Sequence, residues 1–186
     1  IALSLVGSEM CIRDSYHALV QRGEISNQDE ILVLGASGGV GLAALDIAKA
    51  KGARVVAAVS TKEKAEICKE YGADELIIYG EGPKTKDESK AFSNELKSKS
   101  LKGGYDIIYD PIGDCYTEPA FRAIGWKGKY LVVGFAAGEI PKLPINLTLL
   151  KGASLVGVFW GTFTGLESET NPVSYTHLTL PTKNEV

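Results

Sequence analysis

Ile31-Leu-Val-Leu-Gly-Ala-Ser-Gly-Gly-Val-Gly-Leu-Ala43 decides the fold. Four apolar residues, a run of small ones and a return to helical apolar spacing describe a strand that turns tightly into a helix. Small residues there let the backbone approach a phosphate closely. The unbonded amides of the helix's first turn, together with the helix dipole, favour an anion. Against the G-x-G-x-x-G pattern of dinucleotide-binding turns, Ala36 stands in the first glycine's place, and Gly38 and Gly41 fill the other two. Ala36, Ser37, Gly38, Gly39, Val40 and Gly41 are therefore the candidate pyrophosphate-binding residues. A tight strand-to-helix turn that holds no nucleotide is the competing reading.

Around this unit, apolar runs rich in Val, Ile and Leu alternate with helical patterns. Strands are expected at Ile31–Leu34, Arg54–Val59, Glu75–Ile78, Asp106–Tyr109, Lys129–Val133 and Ser154–Phe159. Their nearly continuous apolar character suits strands covered on both faces. Helices are expected at Val40–Lys51, Lys62–Tyr71, Lys86–Lys99 and Tyr116–Ile124, with Gly52, Gly72 and Gly125 closing three of them. Gly80–Ser100 is rich in Lys, Glu and Ser and reads as a solvated loop with an exposed helix. The expected fold is α/β, a Rossmann-type doubly wound parallel sheet of six strands.

The 186 residues suffice for one well-buried domain. Lys and Arg number 20 against 23 Asp and Glu, and their scatter argues against a nucleic-acid or anionic-membrane partner. The most apolar stretch, Leu143–Trp160, is broken by Asn146, Lys151 and Gly152 and is no membrane span. Cys11, Cys68 and Cys115 are too far apart, and too poor in His partners, for a structural zinc site. They read as reduced thiols in the cytoplasm. The termini, Ser4-Leu-Val-Gly-Ser-Glu-Met-Cys-Ile-Arg-Asp-Ser15 and residues 173–186, look like translated sequencing adapter. Residues 1–15 and 173–186 are accordingly expected to be non-native, leaving 16–172 as the domain.

An acid about 20 residues past the glycine turn would grip the ribose hydroxyls of NAD. Here the second strand ends in Ser60-Thr-Lys-Glu-Lys64. A hydroxyl and an ammonium suit a 2′-phosphate that a carboxylate would repel, which favours NADPH. The alternative makes Ser60 or Thr61 a helix cap and the lysines a solvated face. A methyltransferase-like domain would need an acid where Ser60 stands. Asp110 precedes Pro111 and Gly113 and reads as a residue that caps turn amides rather than as a catalytic acid. His17 reads as a satisfied or exposed histidine.

In order and spacing, Tyr16-His-Ala-Leu19, Gln28–Ala43, Glu70-Tyr-Gly-Ala-Asp74, Ile77-Ile-Tyr79, Tyr105-Asp-Ile-Ile-Tyr-Asp-Pro-Ile-Gly113 and Gly128-Lys-Tyr-Leu-Val-Val-Gly-Phe-Ala136 resemble the zinc-independent, quinone oxidoreductase-like branch of the medium-chain dehydrogenase/reductase superfamily. The resemblance implies that Lys64 and Tyr79 flank the 2′-phosphate beside Ser60. It also implies that Gly134, Phe135, Ala136, Phe159 and Trp160 line the nicotinamide, core packing being the alternative for the last two. It implies no metal and no catalytic side chain, and hydride transfer to a quinone or an α,β-unsaturated carbonyl small molecule. Enoyl-thioester reduction and NADPH binding without turnover are the rivals. The family's GroES-like catalytic domain is expected to lie outside this sequence, so the fragment alone is expected to be inactive. A homodimer through the sixth strand, Val156–Trp160, and a mitochondrial location as second choice complete the expectations.

Overall fold

The computed structural model describes residues 10–166, so residues 1–9 and 167–172 and the adapter-like tail at 173–186 lie outside the described residues. A lead-in helix over residues 10–22, π-helical in His17–Arg22, comes first. It is followed by β1 (Glu30–Leu34), α1 (Gly39–Ala50), β2 (Arg54–Val59), α2 (Lys62–Glu70), β3 (Glu75–Ile78), α3 (Lys86–Ser98) and β4 (Tyr105–Asp110). Then come α4 (Thr117–Arg122), β5 (Ile124–Val132), α5 (Asn146–Lys151), β6 (Ser154–Gly157) and α6 (Trp160–Leu166).

Each inner strand feeds two cores in alternation, because successive side chains of a strand point to opposite faces. Ile31, Val33, Val55, Ala57 and Val59 pack with Ala44, Leu45 and Ala48 of α1, Ala65 of α2 and Leu19 of the lead-in helix. Leu32, Leu34, Val56, Ala58 and Ile108 pack on the other face with Phe92 and Leu96 of α3, Phe121 of α4 and Leu147 of α5. A side chain such as Leu32 or Leu45, with no exposed surface, contributes about 2 kcal/mol by its removal from water. This double demand explains the unbroken apolar runs.

The sheet order is β3-β2-β1-β4-β5-β6, and every neighbouring pair is parallel. The chain winds outward from β1 to β3 and then returns to lay β4 against the other side of β1. The direction of winding therefore reverses between β1 and β4, where open α/β sheets form a crevice at the strands' carboxyl ends.

The opposite edge, where the strands begin, is held by ion pairs. Lys49 Nζ lies 2.8 Å from Asp74, Lys99 Nζ 2.8 Å from Glu75 and Lys102 Nζ 2.6 Å from Asp106, while Arg54 pairs with Glu30 and Lys129 with Glu24. Glu30 is 2% exposed. It also accepts from the Ser100 hydroxyl at 2.8 Å and the Leu101 amide at 3.1 Å, so its buried charge is compensated.

Several elements depart from expectation. The helix expected to reach Ile124 ends at Arg122, because Ile124 is the first residue of β5 and pairs with Tyr105. The register then jumps to Ile107 opposite Lys129, so residues 125–128 of β5 form a bulge against Asp106. A Cβ on Gly104 would lie 2.8 Å from the Gly125 Cα, so both backbones need glycine to meet. The last strand ends at Gly157 rather than Phe159, and α6 begins at Trp160. α5 and α6 were not expected at all. No described helix is long and apolar enough to cross a membrane.

Candidate functional site

Because the strands are parallel, the turns after β1 to β6 all leave the sheet on one edge. At its centre Gly35 adopts φ +57, and a Cβ there would lie 2.7 Å from Ile112 Cγ2, so the turns after β1 and β4 touch. Ala36, fully buried, donates its amide to the Ala58 carbonyl at 3.2 Å, which ties the turn to β2. Gly38 is the extended N-cap of α1, and its amide donates to the Gly35 carbonyl at 3.0 Å.

Gly41 sets how closely helix and turn approach. A Cβ there would lie 2.6 Å from the carbonyl oxygens of both Gly35 and Ala36. Ser37 and Val40 are half-buried, and Gly38 and Gly39 are exposed. The first turn of α1 holds no acidic side chain, and amides in a first turn have no intrahelical acceptor. An anion meets positive potential and no competitor there.

The lead-in helix supports this turn. Ser15 donates to the Val40 carbonyl at 2.9 Å and shares a 2.9 Å hydrogen bond with the buried Tyr109 hydroxyl. Cys11 Sγ lies 3.0 Å from where a Gly39 Cβ would stand. Both residues belong to the segment set aside above as non-native, and no motif in the sequence marks them as neighbours of the turn.

After β2, Thr61 caps α2 by accepting from the Lys64 amide at 3.3 Å. Lys64 Nζ then reaches back and donates to the Ser60 hydroxyl at 3.0 Å. Ser60 is half-buried and Lys64 exposed, so an ammonium and a hydroxyl meet where a ribose-binding acid would otherwise stand. After β3, Tyr79 packs with its ring 4.8 Å from Tyr116 and 6.1 Å from Phe92. Burial, reinforced by Tyr116, pushes the Tyr79 phenol up to about 12. It stays protonated at neutral pH and can donate. Tyr116 had no signal in the sequence, because only the return of α4 beside α3 brings it there.

After β4, Asp110 is filled by its own surroundings. Oδ1 accepts from the Ile112 and Gly113 amides at 2.9 and 2.8 Å, and Oδ2 from Thr117 Oγ1 and Tyr130 OH at 2.9 and 2.7 Å. It caps the turn, as its place before Pro111 indicates. A Cβ on Gly113 would lie 2.7 Å from Phe135 Cδ1, and the Ala136 amide donates to the Pro111 carbonyl at 3.0 Å. Gly134, Phe135 and Ala136 are thus bound to the turn that touches Gly35, and the Phe135 and Ala136 side chains are exposed.

Phe159 and Trp160 follow β6, whose end is tied to β5 by the Val158 amide donating to the Val132 carbonyl at 2.9 Å. Phe159 is 73% exposed. Trp160 lies edge-on to His17 at 6.0 Å, and Phe163 stacks on the same imidazole at 4.1 Å. His17 is buried, and its Nδ1 is hydrogen-bonded to Gln21 Oε1, a satisfied histidine. Among the described residues no three His, Cys, Asp or Glu side chains gather into a group that could hold a metal ion.

Comparison with known proteins agrees with this architecture. Residues 39–173 match the family described as zinc-binding dehydrogenase. The quinone oxidoreductase-like protein 2 homolog of Nematostella vectensis is 34% identical over 148 residues, which cover 79% of this chain and 38% of that protein. Acryloyl-coenzyme A reductase of Metallosphaera sedula is 29% identical over 148 residues, covering 79% and 40%. A mycobacterial protein of known structure, complexed with NADPH, superposes with a TM-score of 0.75 at 25% identity, covering 86% of this chain and 48% of that one. The chain spans less than half the length of these relatives. Its family match, its sheet order and its glycine turn at the reversal point lead to one assignment: the chain belongs to the zinc-binding dehydrogenase family of the medium-chain dehydrogenase/reductase superfamily, and its six-stranded unit is that superfamily's NAD(P)-binding domain.

Proposed function

We propose that the chain is the NADPH-binding part of an oxidoreductase that passes hydride to a quinone or an α,β-unsaturated carbonyl compound. The observation that carries the choice of NADPH is the Lys64 ammonium joined to the Ser60 hydroxyl after β2, 3.0 Å apart. Ala36–Gly41 would hold the pyrophosphate, Ser60, Lys64 and Tyr79 the 2′-phosphate, and Gly134–Ala136 with Phe159 and Trp160 the nicotinamide. The bound cofactor supplies the hydride. The chain's own work is orientation and exclusion of water: the turn fixes the phosphates, and exposed rings such as Phe135 and Phe159 offer apolar cover at the strand ends.

No side chain is assigned a proton-transfer role, since Asp110 is spent on four hydrogen bonds within the protein. In such an oxidoreductase a separate catalytic domain would supply the substrate-holding half. The acryloyl-coenzyme A reductase relative favours a second reading, in which the electron-poor alkene is an enoyl thioester. β6 ends the sheet with Leu155 43% exposed, and a homodimer would form along it. Free thiols at Cys11, Cys68 and Cys115 fit the cytoplasm.

Calorimetric titration of the chain with NADPH and NADH, repeated with Lys64→Ala, tests the reading. NADPH is expected to bind about tenfold more tightly, with the preference lost in the variant. Equal binding of both nucleotides by the parent chain would sink the NADPH assignment.

A further inference from the structure

On the sheet face opposite α1, the helices α3 and α4 and residues 139–151 line a half-open groove of about 1200 Å³. Lys86, Lys90, Ser93 and Lys97 line it from α3, where spacings of three, four and seven residues put them on one helix face. Lys142 and Lys151 line it from the other side. Among the described residues no ion pair engages any of these five lysines, whereas Lys84 is paired with Glu81 and Arg122 with Glu118. Asp114 and Glu139 are the other acids in the lining. In a chain of net charge −3, this groove concentrates the opposite sign.

Two further observations favour an anion at this groove. Ser93 is 2% exposed, and its hydroxyl is the one buried side-chain polar atom among the described residues with no hydrogen-bond partner. Such an atom is costly to bury without a partner, and an acceptor oxygen brought to it would remove that cost. Lys151 donates to the Ile124 carbonyl at 3.1 Å, and burial, then the neighbouring Lys97 charge, lower its pKa. A negative ligand would relieve that repulsion.

We propose that this groove binds a small molecule carrying two or more phosphate groups, held by Lys86, Lys90, Lys97, Lys142 and Lys151, with the Ser93 hydroxyl donating to a phosphate oxygen. Its concavity, with lysines facing in from two sides, fits a compact ligand better than a flat membrane. Asp114 and Glu139 repel an extended polyanion such as a nucleic acid. None of Ala36–Gly41, Ser60, Lys64 or Tyr79 lines the groove, so the proposal stands independently of the NADPH reading.

The probe is inorganic tripolyphosphate, titrated calorimetrically into the whole chain with saturating NADPH present. Saturable binding is expected, weakening as salt is raised. The double variant Lys90→Gln/Lys97→Gln is expected to weaken it about tenfold, Lys142→Gln and Ser93→Ala to weaken it measurably, and Lys64→Ala to leave it unchanged. Circular dichroism melts identify any variant that fails to fold, for which Lys142→Gln on the loop substitutes. The proposal is overturned by absence of binding at about 50 mM salt, by displacement with NADPH, or by folded lysine variants that bind as tightly as the parent. Binding of phosphatidylserine vesicles or of a DNA oligonucleotide without binding of tripolyphosphate overturns it equally.

Discussion

The Tyr130 hydroxyl donates to Asp110 Oδ2 at 2.7 Å, and the pair is almost wholly removed from water, with Tyr130 0% and Asp110 2% exposed. Burial, and then the Asp110 charge, lift the Tyr130 pKa well above its usual value, so the phenol remains a donor. Asp110→Ala strips the turn after β4 of its acceptor and is expected to cost about 3 kcal/mol or more, against about 1–2 kcal/mol for Tyr130→Phe. Urea denaturation measures both. A variant at Asp110 as stable as the parent would show that the turn closes without it.

Gly41→Ala places a methyl 2.6 Å from two carbonyl oxygens, whereas Gly38→Ala meets only the Gly35 carbonyl at 3.4 Å. The first is expected to lose about 2 kcal/mol of stability and most of the nucleotide affinity, and the second to keep its fold. Thermal melts and NADPH titrations on the two variants side by side test the difference. Equal behaviour would mean that the closeness of helix and turn is not needed.

Ser60→Asp introduces a carboxylate beside Lys64 at the end of β2. It is expected to repel a 2′-phosphate and to accept ribose hydroxyls, so the nucleotide preference should swing toward NADH by about tenfold or more. Competition between the two nucleotides reads this directly. An unchanged preference would remove Ser60 from the 2′-phosphate site.

Asp74 carries an acid-sensitive part of the stability. Burial raises its pKa, but the Lys49 ammonium and the Val55 amide, which donates to it at 2.7 Å, outweigh burial and lower it overall. A folded pKa below the unfolded value of about 3.9 means that the contribution is complete above that value. It is lost as pH falls through the lower, folded value. Asp74→Asn is therefore expected to flatten the fall in stability below about pH 4, as measured by urea midpoints from neutral to acid pH. A parallel fall in both proteins would locate the acid sensitivity elsewhere.

Burial pushes the Cys68 thiol up to about 11, and it sits in the core beneath α2. Alkylation requires the thiolate. Iodoacetamide at neutral pH is expected to spare Cys68 in the folded chain and to label it in urea, as resolved by mass spectrometry of peptides. Rapid labelling of Cys68 without denaturant would show that α2 opens locally.

The central unit was legible because Ile31–Ala43 joins a strand, a small-residue turn and a helix with nothing between them. Arg54–Val59 and Glu75–Ile78 appear with the bounds read from the sequence, since both strands begin and end at polar residues or turns. Ile124 was misread because its place is fixed by Tyr105, far away in sequence, and not by the helical residues before it. α5 and α6 are short and are anchored by few side chains, Leu147 in the core and Trp160 with Phe163 against His17. Only Gly152, left-handed at φ +57 after α5, offered a local sign of a helix end. At the candidate site, Ser60 and Lys64 were legible from chain position alone. The Ser15 contact with Val40 was not, since it depends on how a separate helix docks.

The ion pairs Arg54–Glu30, Lys49–Asp74, Lys99–Glu75 and Lys102–Asp106 all fasten the sheet where its strands begin. The turns that would meet a ligand leave it where the strands end. The paired charges and the turns open to a ligand are thereby kept at opposite rims of one slab. Exposed turn positions such as Phe135 and Ala136 can therefore change without disturbing any of these four pairs.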